Sequence, residues 1–310
     1  MNRDRIRSGA IVIPFVGLFL LLALVSPPFL SGTNLTNILD QQSTFLIMAA
    51  AGTLVFVAGG IDLSVGAVHA LAGVTAAQVT VSAGPVAGMI AGITVGLVAG
   101  LANGIIVTAF RINALIATLA VSFVVSGITG LLTGGNLIVI LDQADFAALA
   151  RTDIVGIASS TWIMVVVVVV FGVLLARTAF GRYVYAVGGN PEAARLAGVP
   201  VRPVRLATFV MSGGAAGLAG VLIASRVLSA QASSGQDIAF TVLAGIVVGG
   251  TSIAGGEGAV WRTVVGVLFI ALIGNGFNLL SVAPIYQQIV QGAIILVAVA
   301  ADSLSRRTRA

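Results

Sequence analysis

Residues 160–177 read Ser160-Thr161-Trp162-Ile163-Met164-Val165-Val166-Val167-Val168-Val169-Val170-Phe171-Gly172-Val173-Leu174-Leu175-Ala176-Arg177. No charge interrupts the run until Arg177 closes it. A helix that crosses about 30 Å of hydrocarbon needs about 20 mostly apolar residues, and this stretch supplies them. Nine more stretches read the same way: 9–30, 43–58, 62–81, 85–110, 112–134, 205–225, 239–256, 260–282 and 284–302. The second and eighth of the ten are short. Each is either a full crossing or a broken, re-entrant element, so eight to ten crossings are expected. The fold class is an all-α polytopic transmembrane bundle.

Composition agrees. Of the 310 residues, 58% are hydrophobic and 8% charged, against about a quarter charged in soluble domains. Mean hydropathy is +1.14. So few charges cannot clothe a water-soluble globule, which excludes a soluble enzyme, a nucleic-acid binder and a disordered chain. There are 39 glycines, and membrane helices use glycine to bring backbones close. The chain has no cysteine and one histidine, His69, which leaves little for thiol, metal or acid–base chemistry. His69 reads as a packing residue. The longest polar segment is under 30 residues, so 1–310 is a single membrane domain.

The net charge of +5 comes entirely from arginine on the basic side. With the N-terminus placed in the cytoplasm, Arg3, Arg5, Arg7, Arg111, Arg177, Arg182, Arg195, Arg202, Arg205, Arg262, Arg306, Arg307 and Arg309 fall inside. Only Arg151 and Arg226 fall outside. Cytoplasmic loops carry the arginine and lysine excess, so the count supports this ten-span orientation, with both termini cytoplasmic. The first run, with Ser26-Pro27-Pro28-Phe29 after it, lacks a small-x-small cleavage site and reads as a retained helix. The external segment 135–159 carries Asp142, Asp145 and Asp153.

Two stretches carry most of the chemistry. In Ala58-Gly59-Gly60-Ile61-Asp62-Leu63-Ser64-Val65-Gly66 a carboxylate stands between apolar spans, and such a residue needs a reason. Gly59 and Gly60 permit a backbone break. Asp62 can then accept from free N–H groups at the start of the next helix, while Gly60, Ser64 and Ala67 allow tight packing. The structural reading, a cap and hinge, leads; gating and direct substrate contact by Asp62 are the alternatives. In the loop 178–204, Asn190-Pro191-Glu192 is a helix start: N-cap, proline in the first turn, acid near the positive end. Ala193, Ala194, Arg195, Leu196 and Ala197 continue it, and Gly198, Val199 and Pro200 stop it. Its apolar Leu196 and Val199 suit a groove on another protein, with a lipid-headgroup helix as the alternative.

Gly59-Gly60 is echoed by Gly249-Gly250, and Asn103-Gly104 by Asn275-Gly276, but at unequal spacing, so a plain duplication does not fit. The glycines of 249–258 are followed by no lysine, which argues against a nucleotide cradle.

The Gly-Gly-Ile-Asp-Leu-Ser-Val-Gly motif resembles a hallmark of ABC-importer permeases of the ribose, xylose, arabinose and galactose type. So do Arg111–Leu119, Ala186–Val199, Gly249-Gly250-Thr251-Ser252-Ile253-Ala254-Gly255-Gly256, and Gln287-Gln288-Ile289-Val290 with its run to Asp302. The five occur in the family's order over about residues 10–305. The resemblance implies that Asn190–Val199 is the coupling helix that docks on a cytoplasmic ATP-binding subunit, where ATP and magnesium are held. It further implies a periplasmic or tethered sugar-binding protein, a second permease copy or paralogue, and residence in the bacterial cytoplasmic membrane. This chain departs from the pattern in having Asn113 near the family's proline, Gln236-Asp237-Ile238-Ala239 in place of an acidic neighbourhood, and Arg262 for glycine.

Most spans carry no charge at their centres, unlike ion-coupled carriers. Their scattered polar groups, Thr53, Asn103, Thr118, Ser122, Ser126, Asn275, Asn278 and Gln288, suit a neutral, hydroxyl-rich solute. Hinge and pathway residues are expected at Gly59, Gly60, Asp62, Ser64, Gly66, Gly249, Gly250, Thr251, Gly255 and Gly256, and pore groups at Asn103, Thr118 and Asn275. The rivals are an ion-coupled carrier or channel for a small neutral solute, a branched-chain amino-acid permease, and a non-transporting scaffold.

Overall fold

The computed structural model describes residues 3–300 other than 142, 236, 284, 288, 291, 295, 298 and 299, with side chains from residue 11 onward. Helices α1 (Arg3–Val25), α2 (Gly32–Val57), α3 (Val65–Ala83), α4 (Pro85–Thr108), α5 (Ala114–Thr133), α6 (Ala144–Arg151), α7 (Ser159–Arg177), α8 (Ala179–Gly189), α9 (Pro191–Leu196), α10 (Val201–Val227), α11 (Ile238–Val248) and α12 (Val260–Leu279) follow one another. Among the described residues, four two-residue strands, β1 to β4, form two small antiparallel pairs, Ile138–Val139 with Ser229–Ala230 and Asp153–Ile154 with Ile157–Ala158. Among the described residues, seven helices are long and apolar enough to cross a membrane: α2, α3, α4, α5, α7, α10 and α12.

Helices α2, α3 and α10 form the buried centre, and α4, α5 and α7 turn apolar side chains such as Phe123, Val124, Leu131 and Val166 outward. Lipid is as apolar as leucine, so close packing rather than hydrophobic expulsion holds such a centre. Helix α4 supplies it with glycine at every fourth position, Gly88, Gly92, Gly96, Gly100 and Gly104. Gly96 and Gly100 lie against Gly213 of α10, backbone on backbone.

Two antiparallel helices measure the bundle. At one end Arg226 of α10 pairs with Asp40 of α2 at 3.5 Å; at the other Arg205 Nε donates to the Ala58 carbonyl at 3.2 Å. Residues 40 and 58 are about 27 Å apart along a helix, close to the hydrocarbon thickness. Arg111, Arg202 and Arg205 gather at the second end, called here the arginine-rich end. At the first, Asp40 also accepts from Ser160, Arg151 Nε donates to the Arg226 carbonyl (2.6 Å), and Ser225 ties α10 to Phe146 of α6 (2.6 Å).

The expected spans 85–110, 112–134, 160–177 and 205–225 correspond to α4, α5, α7 and α10. The second span is not short. It begins at Gly32, where Ser31 caps it, and its first half is polar enough to escape a hydropathy reading. The eighth is a short helix of 11 residues, about 16 Å long. The expected outer loop before it instead runs inward against α3, where Gly235 meets Gly66. A single 3₁₀ turn, Ala232–Gly235, makes this approach; Gly235 is buried against α3 while Gln231, Ser233 and Asp237 stay exposed. The loop 178–204 holds α8 as well as α9. The tenth span lies partly outside the described residues, as do the side chains of Arg3, Arg5 and Arg7, and Asp142, Gln236, Gln288, Asp302, Arg306, Arg307 and Arg309.

Candidate functional site

Helix α2 ends in a Schellman turn. Gly59 N–H donates to Phe56 and Gly60 N–H to Val55, both at 2.9 Å, and Gly59 takes φ +79°, a conformation that costs glycine nothing. Helix α11 ends the same way: Gly250 N–H donates to Val247 (2.8 Å) and Thr251 N–H to Ile246 (3.2 Å), with Gly250 at φ +77°. The echo is therefore one structural motif used twice, aligned as Gly59 with Gly250 and Gly60 with Thr251. Asn103 and Asn275, the other echo, occupy unrelated surroundings.

After the break the chain turns back into the bundle without helix, and a polar net holds it. Asp62 Oδ1 accepts from the Ser64 N–H (3.0 Å) and hydroxyl (2.6 Å), and Oδ2 from Ser212 of α10 (2.8 Å). Asn103 Nδ2 of α4 donates to Ser64 Oγ at 2.7 Å. Thr118 Oγ1 of α5 accepts from Leu63 N–H at 3.0 Å and lies 3.2 Å from the Ile61 carbonyl. Three helices, α4, α5 and α10, thus converge on residues 61–64. Asp62 is buried and has no ion pair among the described residues. Asn103 and Thr118, expected as pore groups, are fully buried in this net. Ser212 was not anticipated; a lone serine in an apolar span carries no local signal.

The break touches the loop that precedes α9. A Cβ on Gly255 would stand 2.7 Å from Gly59 Cα and 2.9 Å from the Gly188 carbonyl, and one on Gly256 would stand 2.8 Å from Gly189 Cα. Gly256 N–H donates to the Val57 carbonyl at 2.9 Å, and Tyr185 Oη to the Gly258 carbonyl at 2.7 Å. The ends of α2, α8 and α11 are therefore interlocked through glycine backbone. Gly249 lies against Arg262 and Thr263 of α12. Arg262 is buried in the first turn of α12, and Thr251 is buried with its hydroxyl unpartnered among the described residues.

Helix α9 follows immediately. Asn190 Oδ1 accepts from Glu192 N–H (3.1 Å) and Ala193 N–H (3.0 Å), Pro191 is in the first turn, and Gly198 at φ +82° closes it. Arg195 makes a bidentate pair with Glu192 at 2.6 and 3.1 Å. The pair holds the Glu192 carboxyl below its ordinary range, first through the hydrogen bond and then through the charge of Arg195. Ala194 is buried and Val199 half-buried on the end of α2, together with Val57, Val184 and Val204. Val199 is thus not the free apolar residue expected; Leu196, 76% exposed, is. Asn113 restores the helix break that the missing proline put in doubt: its Oδ1 accepts from Leu115 N–H at 2.9 Å and caps α5. His69 is buried as expected, with Nδ1 unpartnered among the described residues.

Asn275 lies elsewhere, in a cleft of about 440 Å³ between α2 and α12 near the Asp40 end. It exchanges amide hydrogen bonds with Asn34 (2.8 and 3.2 Å). Asn37, Gln41, Gln42 and Asn278 line the same cleft, which no charged side chain among the described residues enters.

Residues 34–299 match the family model described as branched-chain amino acid transport system / permease component. The chain belongs to this family. It is similar to the ribose import permease of Haemophilus influenzae, 40% identical over 296 residues, covering 93% of this chain and 92% of the relative. The ribose import permease of Bacillus subtilis is 41% identical over 294 residues, 93% of this chain and 91% of the relative. An L-arabinose ABC transporter permease of Azospirillum brasilense is 38% identical over 306 residues, 98% and 89%. No solved structure matches. The chain is accordingly a membrane permease component.

Proposed function

We propose that this permease forms the translocation pathway of an ATP-driven importer for a monosaccharide or similar polyol. The relatives' names point to pentoses. The amide cleft agrees: neutral donors and acceptors suit sugar hydroxyls, whereas a zwitterionic amino acid would call for counter-charges. A cytoplasmic ATP-binding subunit holds ATP and magnesium, a periplasmic or tethered binding protein delivers the solute, and a second copy or paralogue completes the pore. The arginine asymmetry supports cytoplasmic termini and residence in the bacterial cytoplasmic membrane.

The loop 178–204 is the coupling element. The observation that carries this is the glycine interlock between Gly188 and Gly189, next to α9, and Gly59, Gly255 and Gly256 at the two breaks. An ATPase that moves α9 has no compliant side-chain layer between its push and the break at Gly59-Gly60-Asp62. Gly249, Gly250 and Thr251 transmit the same displacement to α12. Asp62, Ser64, Asn103 and Thr118 hold the broken segment, so that it moves as a unit.

The test is reconstitution with the ATPase and the binding protein. Glu192→Ala with Arg195→Ala should lower sugar taken up per ATP hydrolysed. Undiminished uptake in that variant refutes the coupling assignment, and sugar accumulation by the permease alone along an ion gradient refutes the ATP-driven scheme.

A further inference from the structure

At the arginine-rich end a cavity of about 410 Å³ opens between the α2 break and the starts of α5 and α10. Arg111, Arg202 and Arg205 line it, and no carboxylate among the described residues does. Its volume is within the range of small-molecule sites, roughly 300–1,000 Å³. Arg205 spends Nε on the Ala58 carbonyl, which aims the rest of the guanidinium without neutralising it. The positive end of α5, capped by Asn113, faces the same space. Three guanidinium groups and a helix N-terminus at a partly desolvated site repel one another unless an anion enters. Arginine forks match phosphate oxygens two at a time.

Apolar side chains stand beside it. Ile112, next to Arg111 in the cavity wall, is exposed, and Phe110 and Ile116, close to it in the chain, are 70% and 62% exposed. A polar, cationic floor beside an exposed apolar flank fits an amphiphile. We propose that this cavity binds a phosphate group through Arg111, Arg202 and Arg205, supplied by the headgroup of an anionic phospholipid whose chains lie along Phe110 and Ile116. Basic pockets between membrane helices are suited to such headgroups. Gly59 and Gly60 form part of the wall, so occupancy braces the α2 break. The inference rests on the cavity alone and does not depend on the solute or the ATPase.

Native mass spectrometry of the full chain in detergent tests it, with dioleoylphosphatidylglycerol, dioleoylphosphatidylcholine and inorganic phosphate as probes. One phosphatidylglycerol should be retained in preference to phosphatidylcholine. Arg111→Gln and Arg202→Gln, both exposed and so safe for folding, should each weaken it about tenfold. Arg205→Lys keeps the charge but loses the fork, and should weaken it too. Arg177→Gln with Arg182→Gln, at the same end but outside the cavity, should change nothing. Retention that excess inorganic phosphate does not displace upholds the lipid as source; displacement by free phosphate upholds the phosphate site and overturns the lipid. Equal retention of both lipids, or an equal effect of the Arg177 and Arg182 changes, overturns the site.

Discussion

The backbone N–H of Gly256 donates to the carbonyl of Val57 across 2.9 Å, so the loop after α11 is pinned to the last turn of α2. Gly188 lies against the same carbonyl, with no room for a Cβ. Three chain segments meet there without a side chain between them, and rigid backbone contact leaves little slack in the path from α9 to the break.

That contact separates two adjacent glycines. Gly188→Val drives a side chain into the Val57 carbonyl and should cost about 1–3 kcal/mol, the usual scale of overpacking. A Cβ on Gly189 meets nothing within 4 Å, so Gly189→Ala should stay within about 0.5 kcal/mol of the parent. Thermal unfolding in detergent measures both. Equal melting temperatures for the two would refute the interlock.

Asp62 accepts three hydrogen bonds from two side chains and one backbone group. Removing the acceptor strands buried donors, each at about 1–3 kcal/mol. Asp62→Ala should therefore destabilise more than Ser212→Ala. The double variant should fall short of their sum by about 0.5–3 kcal/mol, as for residues in one network. An additive cycle, measured by unfolding in micelles, would show that Ser212 does not hold the carboxylate.

Legibility followed local chemistry. Helix α9 was readable because caps are local: Asn190, Pro191 and Gly198 act within a few residues of themselves. Helices α4, α5 and α7 were readable because nearly every residue is apolar. The start of α2 was not, because Asn34, Asn37, Gln41 and Gln42 face a cleft that a hydropathy window cannot see. The inward course of 229–235 was hidden likewise, since its polar residues look like a surface loop. The break at Gly59–Asp62 was visible, but its partners Ser212 and Gly188 depend on which helices meet, which the local sequence does not encode. The four-residue glycine period of α4 was present as a packing signal and marks the face turned to α10.

The Glu192–Arg195 pair sets a pH window. Its carboxyl is lowered in the folded chain, so its contribution is complete above the free glutamate value of about 4.3 and disappears as pH falls through the lowered value. The sign follows: protonation in acid releases Arg195, and neutral pH does not. Coupling of ATP turnover to uptake should be flat in this respect from pH 6 to 8. Glu192→Gln should lower it across that range. A wild-type coupling ratio that rises or falls between pH 6 and 8 in step with Glu192, and that Glu192→Gln abolishes, would contradict the pairing.

The amide cleft gives the last prediction. Asn34 and Asn275 satisfy each other, which leaves, among the described residues, Asn37, Gln41, Gln42, Asn278 and Gln287 in the cleft to address a solute. If a sugar meets the chain here on its way inward, each hydroxyl contact contributes about 0.5–1.5 kcal/mol. Asn37→Leu and Gln42→Leu should then raise the KM for uptake about two- to tenfold in the complete reconstituted importer, with binding of sugar to the delivery protein unchanged. Asn275→Leu acts differently: it strands Asn34 as well, so stability as well as uptake should fall. Deoxy sugars sharpen the distinction. A variant that has lost one contact should discriminate less between a sugar and its deoxy analogue at the matching position, because the missing partner no longer penalises the missing hydroxyl. Uptake kinetics indifferent to all three substitutions would place the sugar's route away from the face shared by α2 and α12.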